Sequence, residues 1–404
     1  EGNTRGITSL DKMVNETKSN RLILPSLLIA TLSTYPPSIV ASVLLTEISK
    51  DLNVPIGIGG QIRTAASMVA FIGSIAMTFI AARYNYKRLL TVGLLVIAAS
   101  AVTSSLAPSF SVLLLSTVLT GAGMAIVVPM TTTLIAEYFP LAEQGRAMSL
   151  LGVGGGFGFL LGGTIVGQLA AVGGWRLAYI GFAGTLGALG LIITYFTLPD
   201  TENKGVKDIT SGVREIVSNR SAIGCLVSNL LASAGIQGVY FWCFSFIKET
   251  FQTSTVQTGY IFTGTAVMFI TGSYLTSRVL SRLGPKLTVT LGLIGTSVCT
   301  VVYNISPTLS IATVAILTGN LLDSFRYNAH NTLSLGQTES KGSMMSLHNA
   351  ASNLGYSIGS ALGVLLLVSN WLTLGTILTA MSLTAAATIL AVVKLPDSEI
   401  VLDQ

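Results

Sequence analysis

Hydrophobic and polar positions alternate along this chain in long blocks. Apolar runs fall near residues 21–47, 61–82, 89–107, 111–136, 147–171, 177–198, 222–247, 256–279, 287–305, 308–335, 343–369 and 371–395, each closed by charge, proline or glycine. Runs of roughly 20 apolar residues match a hydrocarbon core about 30 Å thick. The pattern therefore predicts an all-α membrane protein of twelve transmembrane helices. The polar stretch 199–221, PDTENKGVKDITSGVREIVSNRS, separates two groups of six. The expected organisation is a tail over 1–20, a six-helix bundle over 21–198, a central loop over 199–221, a second bundle over 222–396 and a tail over 397–404. Within the loop, ITSGVREIV predicts a short amphipathic surface helix. Pro36-Pro37 removes backbone hydrogen bonds near the middle of the first span and predicts a bend there.

Composition narrows the class. Half of the 404 residues are hydrophobic, 10% are charged and the mean hydropathy is +0.71. A soluble chain is nearer 25% charged, so a soluble protein is excluded. Charge placement gives orientation. With both ends in the cytoplasm, the inner loops collect seventeen of the 22 Lys and Arg, from Arg5 to Lys394. The outer loops collect Lys50, Arg63, Arg176 and Lys248, and Arg326 stays in the membrane. The net charge of +5 is thus a topology signal, and no nucleic-acid partner is expected. No signal peptide is expected in the polar first twenty residues. Cys225, Cys243 and Cys299 sit apart in apolar runs as small hydrophobes, so no disulfide framework, metal or cofactor is expected.

The two groups of six are related in sequence. GSIAMTFIAARYNYKRLLTVGLL (73–95) aligns without gaps with GSYLTSRVLSRLGPKLTVTLGLI (272–294), matching Arg83 and Lys87 to Arg282 and Lys286. GRAMSLLGVGGGFGFLLGG (145–163) aligns with GSMMSLHNAASNLGYSIGS (342–360), and LPD closes both halves at 198–200 and 395–397. Two parallel six-helix repeats are a transporter architecture, because similar halves can close over a central site from either side. Gly154, Gly158 and Gly162 step by four on the fifth span, and Gly355, Gly359 and Gly363 do so on the eleventh. Such stripes predict close helix packing that tolerates rocking between the halves.

Over about residues 21–396 the chain resembles the major facilitator superfamily of secondary transporters. Arg83, Lys87 and Arg88 are similar to that family's basic loop signature. GGWRLAYIGF (173–182) looks like its Gly-Trp-Arg signature, and IAEYFPLAEQGRAMSL (135–150) resembles its fourth-to-fifth loop. GGGFGFLLGG (154–163) resembles the fifth-helix motif of the drug:proton antiporter branch, with Phe159 where that motif has proline. Thr117 stands where that branch carries an arginine. The resemblance implies two pseudo-symmetric six-helix bundles, a cavity lined by the first, fourth, seventh and tenth spans, and Arg83, Lys87, Arg282 and Lys286 as gating residues that bridge the halves.

Polar stripes at helical spacing support those cavity spans. The first has Thr31, Thr34, Tyr35, Ser38 and Ser42; the fourth has Thr117, Thr120 and Thr131. The seventh has Asn229, Ser233, Gln237 and Tyr240, and the tenth has Asn320, Asp323, Arg326, Tyr327 and His330 on about a third of its circumference. Charges at mid-membrane cost about 2.5–3.5 kcal/mol each on insertion scales, so they are candidate functional groups. Asp323 and Arg326, three apart, are placed to pair, and Asp323 is the only deep carboxylate expected. His330 is placed toward the cytoplasm, and Arg63 near the outer end of the second span is placed to meet a lipid phosphate or an anionic substrate, with the lipid preferred.

These residues predict a monomeric, multi-pass transporter of the cell membrane that binds a small molecule and exchanges it for protons. The expected activity is export of amphipathic, drug-like compounds. A carrier of small organic anions, with Arg326 as clamp, is the alternative. No metalloprotease, nucleophile-elbow or phosphate-loop motif points to an enzyme.

Overall fold

A computed structural model describes residues 22–81, 83–199 and 209–394. The expected tails and the loop residues 200–208 lie outside the described residues.

Among the described residues, eight continuous helices are long and apolar enough to cross a membrane. Two of them are pairs. The helical stretch Leu141–Ala178 turns at Gly173–Gly174, and Thr255–Asn304 turns at Gly284 ahead of Pro285. Gly174 has φ +72° and Gly284 φ +71°, which an L side chain rarely adopts. Gln61–Ile80 and Leu309–Leu335 are also of membrane-crossing length. The twelve helices are α1 Leu22–Val43, α2 Gln61–Ile80, α3 Tyr86–Ser105, α4 Phe110–Tyr138, α5 141–172 and α6 175–197. The second half has α7 Arg220–Phe251, α8 255–283, α9 285–304, α10 Leu309–Leu335, α11 Lys341–Leu367 and α12 Trp371–Val392. Asn85, Asn219, Thr308 and Asn370 cap α3, α7, α10 and α12, and Ser254 with Gln257 forms a capping box on α8. The surface helix expected in the central loop is present as Ile209–Ser218. The bend expected in α1 lies at Thr34–Tyr35, just ahead of Pro36.

The repeat is visible in the backbone. Asn53 and Gln252, 199 residues apart, are the two non-glycine residues with positive φ among the described residues. Each follows the first helix system of its half. The contact between halves repeats too. Thr64 of α2 bonds Ser360 of α11 (Oγ1 to Oγ, 2.9 Å), and Thr263 of α8, again 199 residues on, bonds Thr164 of α5 (Oγ1 to Oγ1, 2.9 Å).

Three apolar cores are present. One unites the halves, running from Ile39, Leu45 and Tyr179 to Trp242, Phe262 and Leu378. The other two stay within single halves: one holds Leu27, Leu90 and Leu134, the other Ala222, Val289 and Leu333. The hydrogen bonds that join the halves cluster with the shared core, at the end opposite the central loop. The halves are therefore sealed together at that end and keep separate cores at the other.

The glycine stripes act otherwise than expected. A methyl at Gly158 would sit 2.7 Å from Leu32 and one at Gly162 2.7 Å from Ile39, both on α1. One at Gly355 would meet the Leu230 carbonyl oxygen of α7 at 2.5 Å, and Gly359 also faces α7. These stripes pack each half against its own first helix. The tight contact between halves is one residue round, where a methyl at Gly163 would stand 2.5 Å from the Gly259 carbonyl oxygen. Gly154 lies on the same stripe as Gly158.

Candidate functional site

The site is built around one buried ion pair. Arg326 Nε donates to Asp323 Oδ1 at 2.7 Å, one helical step apart on α10, and both side chains are at most 2% exposed. Gln237 Nε2 of α7 reaches Asp323 Oδ2 at 3.4 Å. The wide turn Ser233–Gln237 in α7 ends on that glutamine. Such one-turn bulges re-aim side chains and recur at functional sites. A buried carboxylate and guanidinium are tolerable in an apolar bundle because each satisfies the other.

One aromatic ring lies beside the pair, and a chain of others links the two halves. Tyr327 stacks beside Arg326, with the guanidinium carbon 5.7 Å from its ring centre, and is 37% exposed. It is the exposed member of the expected α10 face; Asn320, Asp323, Arg326 and His330 are buried. From α1, Tyr35 meets Phe159 of α5 at 5.1 Å between ring centres, Phe159 meets Phe262 of α8 at 6.1 Å, and Phe262 meets Phe244 of α7 at 5.1 Å. The Phe159 that replaces proline in the fifth-helix motif thus joins two rings of the cavity wall. Ser38 and Gln237 line the same interior and are partly accessible.

Other expected site residues are held within their own bundle. Thr31 and Thr34 donate to the Leu27 and Thr31 carbonyls of their own helix. Asn320 donates to the Ile316 carbonyl of α10. Asn229 donates to the His348 carbonyl and to Ser352, both at 2.8 Å, and so locks α7 to α11 instead of facing a cavity. Tyr240 keeps a buried, unbonded hydroxyl close to Gly319. His330 is fully buried against His348 (ring centres 5.3 Å apart). Neither of its nitrogens makes a well-formed hydrogen bond, although the Cys225 carbonyl lies close. His348 Nδ1 is bonded to Ser334 Oγ at 3.1 Å.

The contacts described for two of the expected gating cations, Lys286 and Lys87, lie within their own halves. Lys286 donates to the Val393 carbonyl oxygen at 2.6 Å, at the end of α12. Lys87, its counterpart, lies 6.0 Å from the Tyr195 ring centre on α6. Each ties the third helix of its half to the sixth. Arg83 and Arg282 are exposed.

Charged contacts at the sealed end were less legible. Lys248 of α7 donates to the Glu47 carboxylate and, at 2.9 Å, to the Val43 carbonyl oxygen, so the pair crosses between halves. Thr255 also donates to Glu47. Arg176 pairs with Asp51 at 2.5 Å and stacks on Trp175, whose Nε1 donates to the same carboxylate. The hydrogen bond from Arg176 holds the Asp51 carboxyl below its ordinary range.

Arg63 departs most from expectation. It points inward, not to lipid. Its guanidinium carbon is 5.3 Å from the Phe241 ring centre on α7 and 5.4 Å from that of Tyr356 on α11. Its hydrogen bond to Ser42 Oγ is long, at 3.4 Å.

A model of the Major Facilitator Superfamily matches residues 27–334, three quarters of the chain. The chain belongs to the Major Facilitator Superfamily. It is thus of a transporter superfamily, not of an enzyme family. A probable sugar efflux transporter of Helicobacter pylori strain J99 is 24% identical over 276 residues, 67% of this chain and 69% of that protein. Its counterpart in strain G27 is 25% identical, and there the match spans 61% of that protein's length. A chloramphenicol efflux pump of Mycobacterium tuberculosis is 27% identical over 151 residues, 36% of each chain. Among solved structures, a D-xylose–proton symporter superposes with TM-score 0.78 at 17% identity, covering 94% of this chain and 98% of that one. A bacterial homologue of the lysosomal transporter Spinster, inward-facing and unoccupied, gives TM-score 0.72 at 15% identity, over 92% and 94%. At these identities the superpositions establish the superfamily fold, twelve helices in two six-helix bundles.

Proposed function

We propose that the chain is a proton-coupled exporter of small amphipathic organic compounds that works by alternating access. The observation that carries this reading is the buried Asp323–Arg326 pair, joined by Gln237 from a second cavity helix. A proton on Asp323 cancels its charge and leaves Arg326 unpaired. The two protonation states therefore differ by a full charge in a low-dielectric interior, where such a difference is large enough to favour different openings. The rings of Tyr35, Phe159, Phe262 and Tyr327 supply broad, flat apolar surface for an aromatic or amphipathic solute. The separate cores at one end and the shared core at the other fit a carrier open on one side. The Lys and Arg distribution puts the central loop and both termini in the cytoplasm of a cell-membrane protein, so the sealed end faces outward. The efflux named for the bacterial relatives supports the outward direction. The carrier acts as a monomer, since each half finds its partner within the chain.

The test is Asp323→Asn in proteoliposomes loaded with chloramphenicol. Flux driven by an imposed pH gradient should fall to background, while exchange of labelled for unlabelled compound persists. Gradient-driven flux equal to wild type would sink the coupling role. A second reading, transport of small organic anions clamped by Arg326, meets an obstacle: Asp323 already holds Arg326 Nε. That clamp acts only when Asp323 is protonated.

A further inference from the structure

Apart from Lys50, which is exposed, three cations besides Arg63 reach the inside or the sealed rim of the bundle, and each touches a carboxylate. Arg326 has Asp323, Lys248 has Glu47 and Arg176 has Asp51. Arg63 touches no carboxylate among the described residues. Its polar contact is the 3.4 Å bond to Ser42, whose hydroxyl already donates to the Ser38 carbonyl. Guanidinium carries five donors and stays charged at any physiological pH. The Arg63 nitrogens are not among the buried, unbonded polar atoms, so the remaining donors are accessible to an acceptor.

Its surroundings narrow what that acceptor is. Arg63 lies between the halves and is still partly accessible, as expected of a group lining an internal cavity. Phe241 and Tyr356, both from the other half, flank it; Phe241 is buried and Tyr356 is partly accessible. Tyr356 of α11 lies beside Arg63, its ring centre 5.4 Å from the guanidinium carbon. The repeat does not explain the cation, because the position 199 residues on is Phe262.

We infer that Arg63 is an anion-binding subsite of the central cavity that takes the carboxylate of an aromatic organic acid, with the ring lying against Phe241 and Tyr356. This rests on the carrier reading and narrows it: the solute class includes aromatic acids, and the cation that selects them is Arg63 on α2, not Arg326. Arg326 keeps its carboxylate partner while Arg63 makes paired hydrogen bonds to the ligand carboxylate.

The test compares 2-naphthoate with its neutral amide, 2-naphthamide, by calorimetric titration of the purified chain in nanodiscs. Wild type should bind naphthoate about tenfold or more tightly than naphthamide, the discrimination expected of a charge-assisted pair. Arg63→Gln should bring the two ligands level and leave naphthamide affinity unchanged. Arg63→Lys, which keeps the charge without the fork, should retain part of the preference and serves if Arg63→Gln fails to fold. A preference for naphthoate that survives in Arg63→Gln overturns the inference. So does equal binding of the two ligands by wild type, or an equal loss of both in Arg63→Gln, which would mark Arg63 as a latch between the halves. Chloramphenicol flux by wild type, measured separately, decides the carrier reading. A chain that shows the naphthoate preference without flux keeps the subsite and loses the carrier assignment.

Discussion

The pair between Lys248 and Glu47 holds the sealed end shut, and removing one partner should open it. Lys248 comes from the C-terminal half and is 6% exposed in its side chain; Glu47 comes from the N-terminal half and is 30% exposed. Deleting one partner of a fully buried pair costs about 3–5 kcal/mol, because a charge is left unpaired. Glu47 sits partly in water and keeps the Thr255 hydroxyl, so the cost here is discounted to about 1.5–3 kcal/mol. In the opened state both groups hydrate and the deletion costs little. Lys248→Met should therefore shift the balance between sealed and open states by about ten- to a hundredfold toward open. The assay is the rate at which a membrane-impermeant maleimide labels a cysteine placed at Ser357, which bonds Thr64 across the sealed contact, in a chain without its three native cysteines. Lys248→Met and Glu47→Gln should each raise the rate. The double substitution should raise it less than their product, because it leaves no orphan charge. Rates unchanged in both single variants would refute the latch.

Two further expectations concern packing and pH. Gly163→Val should separate the halves at the α5–α8 contact and raise the same maleimide rate, whereas Gly158→Ala, which meets the movable Leu32 side chain, should leave it near wild type. Glu215 on the surface helix accepts hydrogen bonds from Ser340, Thr338 and the Glu339 amide, which hold its carboxyl below the ordinary range. A lowered value in the folded state means stability present above the ordinary glutamate pKa, near 4.3, and lost as pH falls through the lower one. The melting temperature of wild type should therefore exceed that of Glu215→Gln at pH 7, and the gap should close toward pH 3; a gap independent of pH would refute the assignment.

Much of the fold was legible because membrane burial leaves strong traces. Span lengths, loop charges and the repeat offset survive in the bare sequence, and so do α10's polar residues and the pairing of Asp323 with Arg326. Helix rotation did not survive. Gly162 and Gly163 are adjacent, yet the 100° between them separates a face packed on α1 from a face packed on the other half. Arg63 was misread for the same reason. Near a span end, a long cation ordinarily snorkels to the interface. Its inward aim depends on α2 being held by Thr64 against Ser360, a contact between residues 296 apart. A signal was available: extending the 199-residue offset back from Gly73 places Gly60 on Gly259, Thr64 on Thr263 and Arg63 on Phe262, a cavity ring.

The symmetric and asymmetric parts of the molecule divide the work of transport. The contacts that must loosen for rocking, Thr64 on Ser360 and Thr263 on Thr164, join the second helix of each half to the fifth helix of the other. The charges are not repeated. Asp323 and Arg326 move with one half, and Arg63 moves with the other. In the sealed state Arg63 is shielded by two rings of the opposite half, and the low local dielectric strengthens its hold on a carboxylate. Opening the sealed end withdraws Arg63 from those rings and hydrates it, which weakens the hold. Anion affinity is thus tied to the state of the seal: higher while the cavity is closed to the outside, lower once it opens there. On the proposed reading, such a carrier would load an acid from the cytoplasmic side and release it outward, so the residue proposed to select the solute would also favour export. The direction has its own check: conditions that open the seal, such as Lys248→Met, should lower naphthoate affinity while leaving naphthamide affinity nearly unchanged.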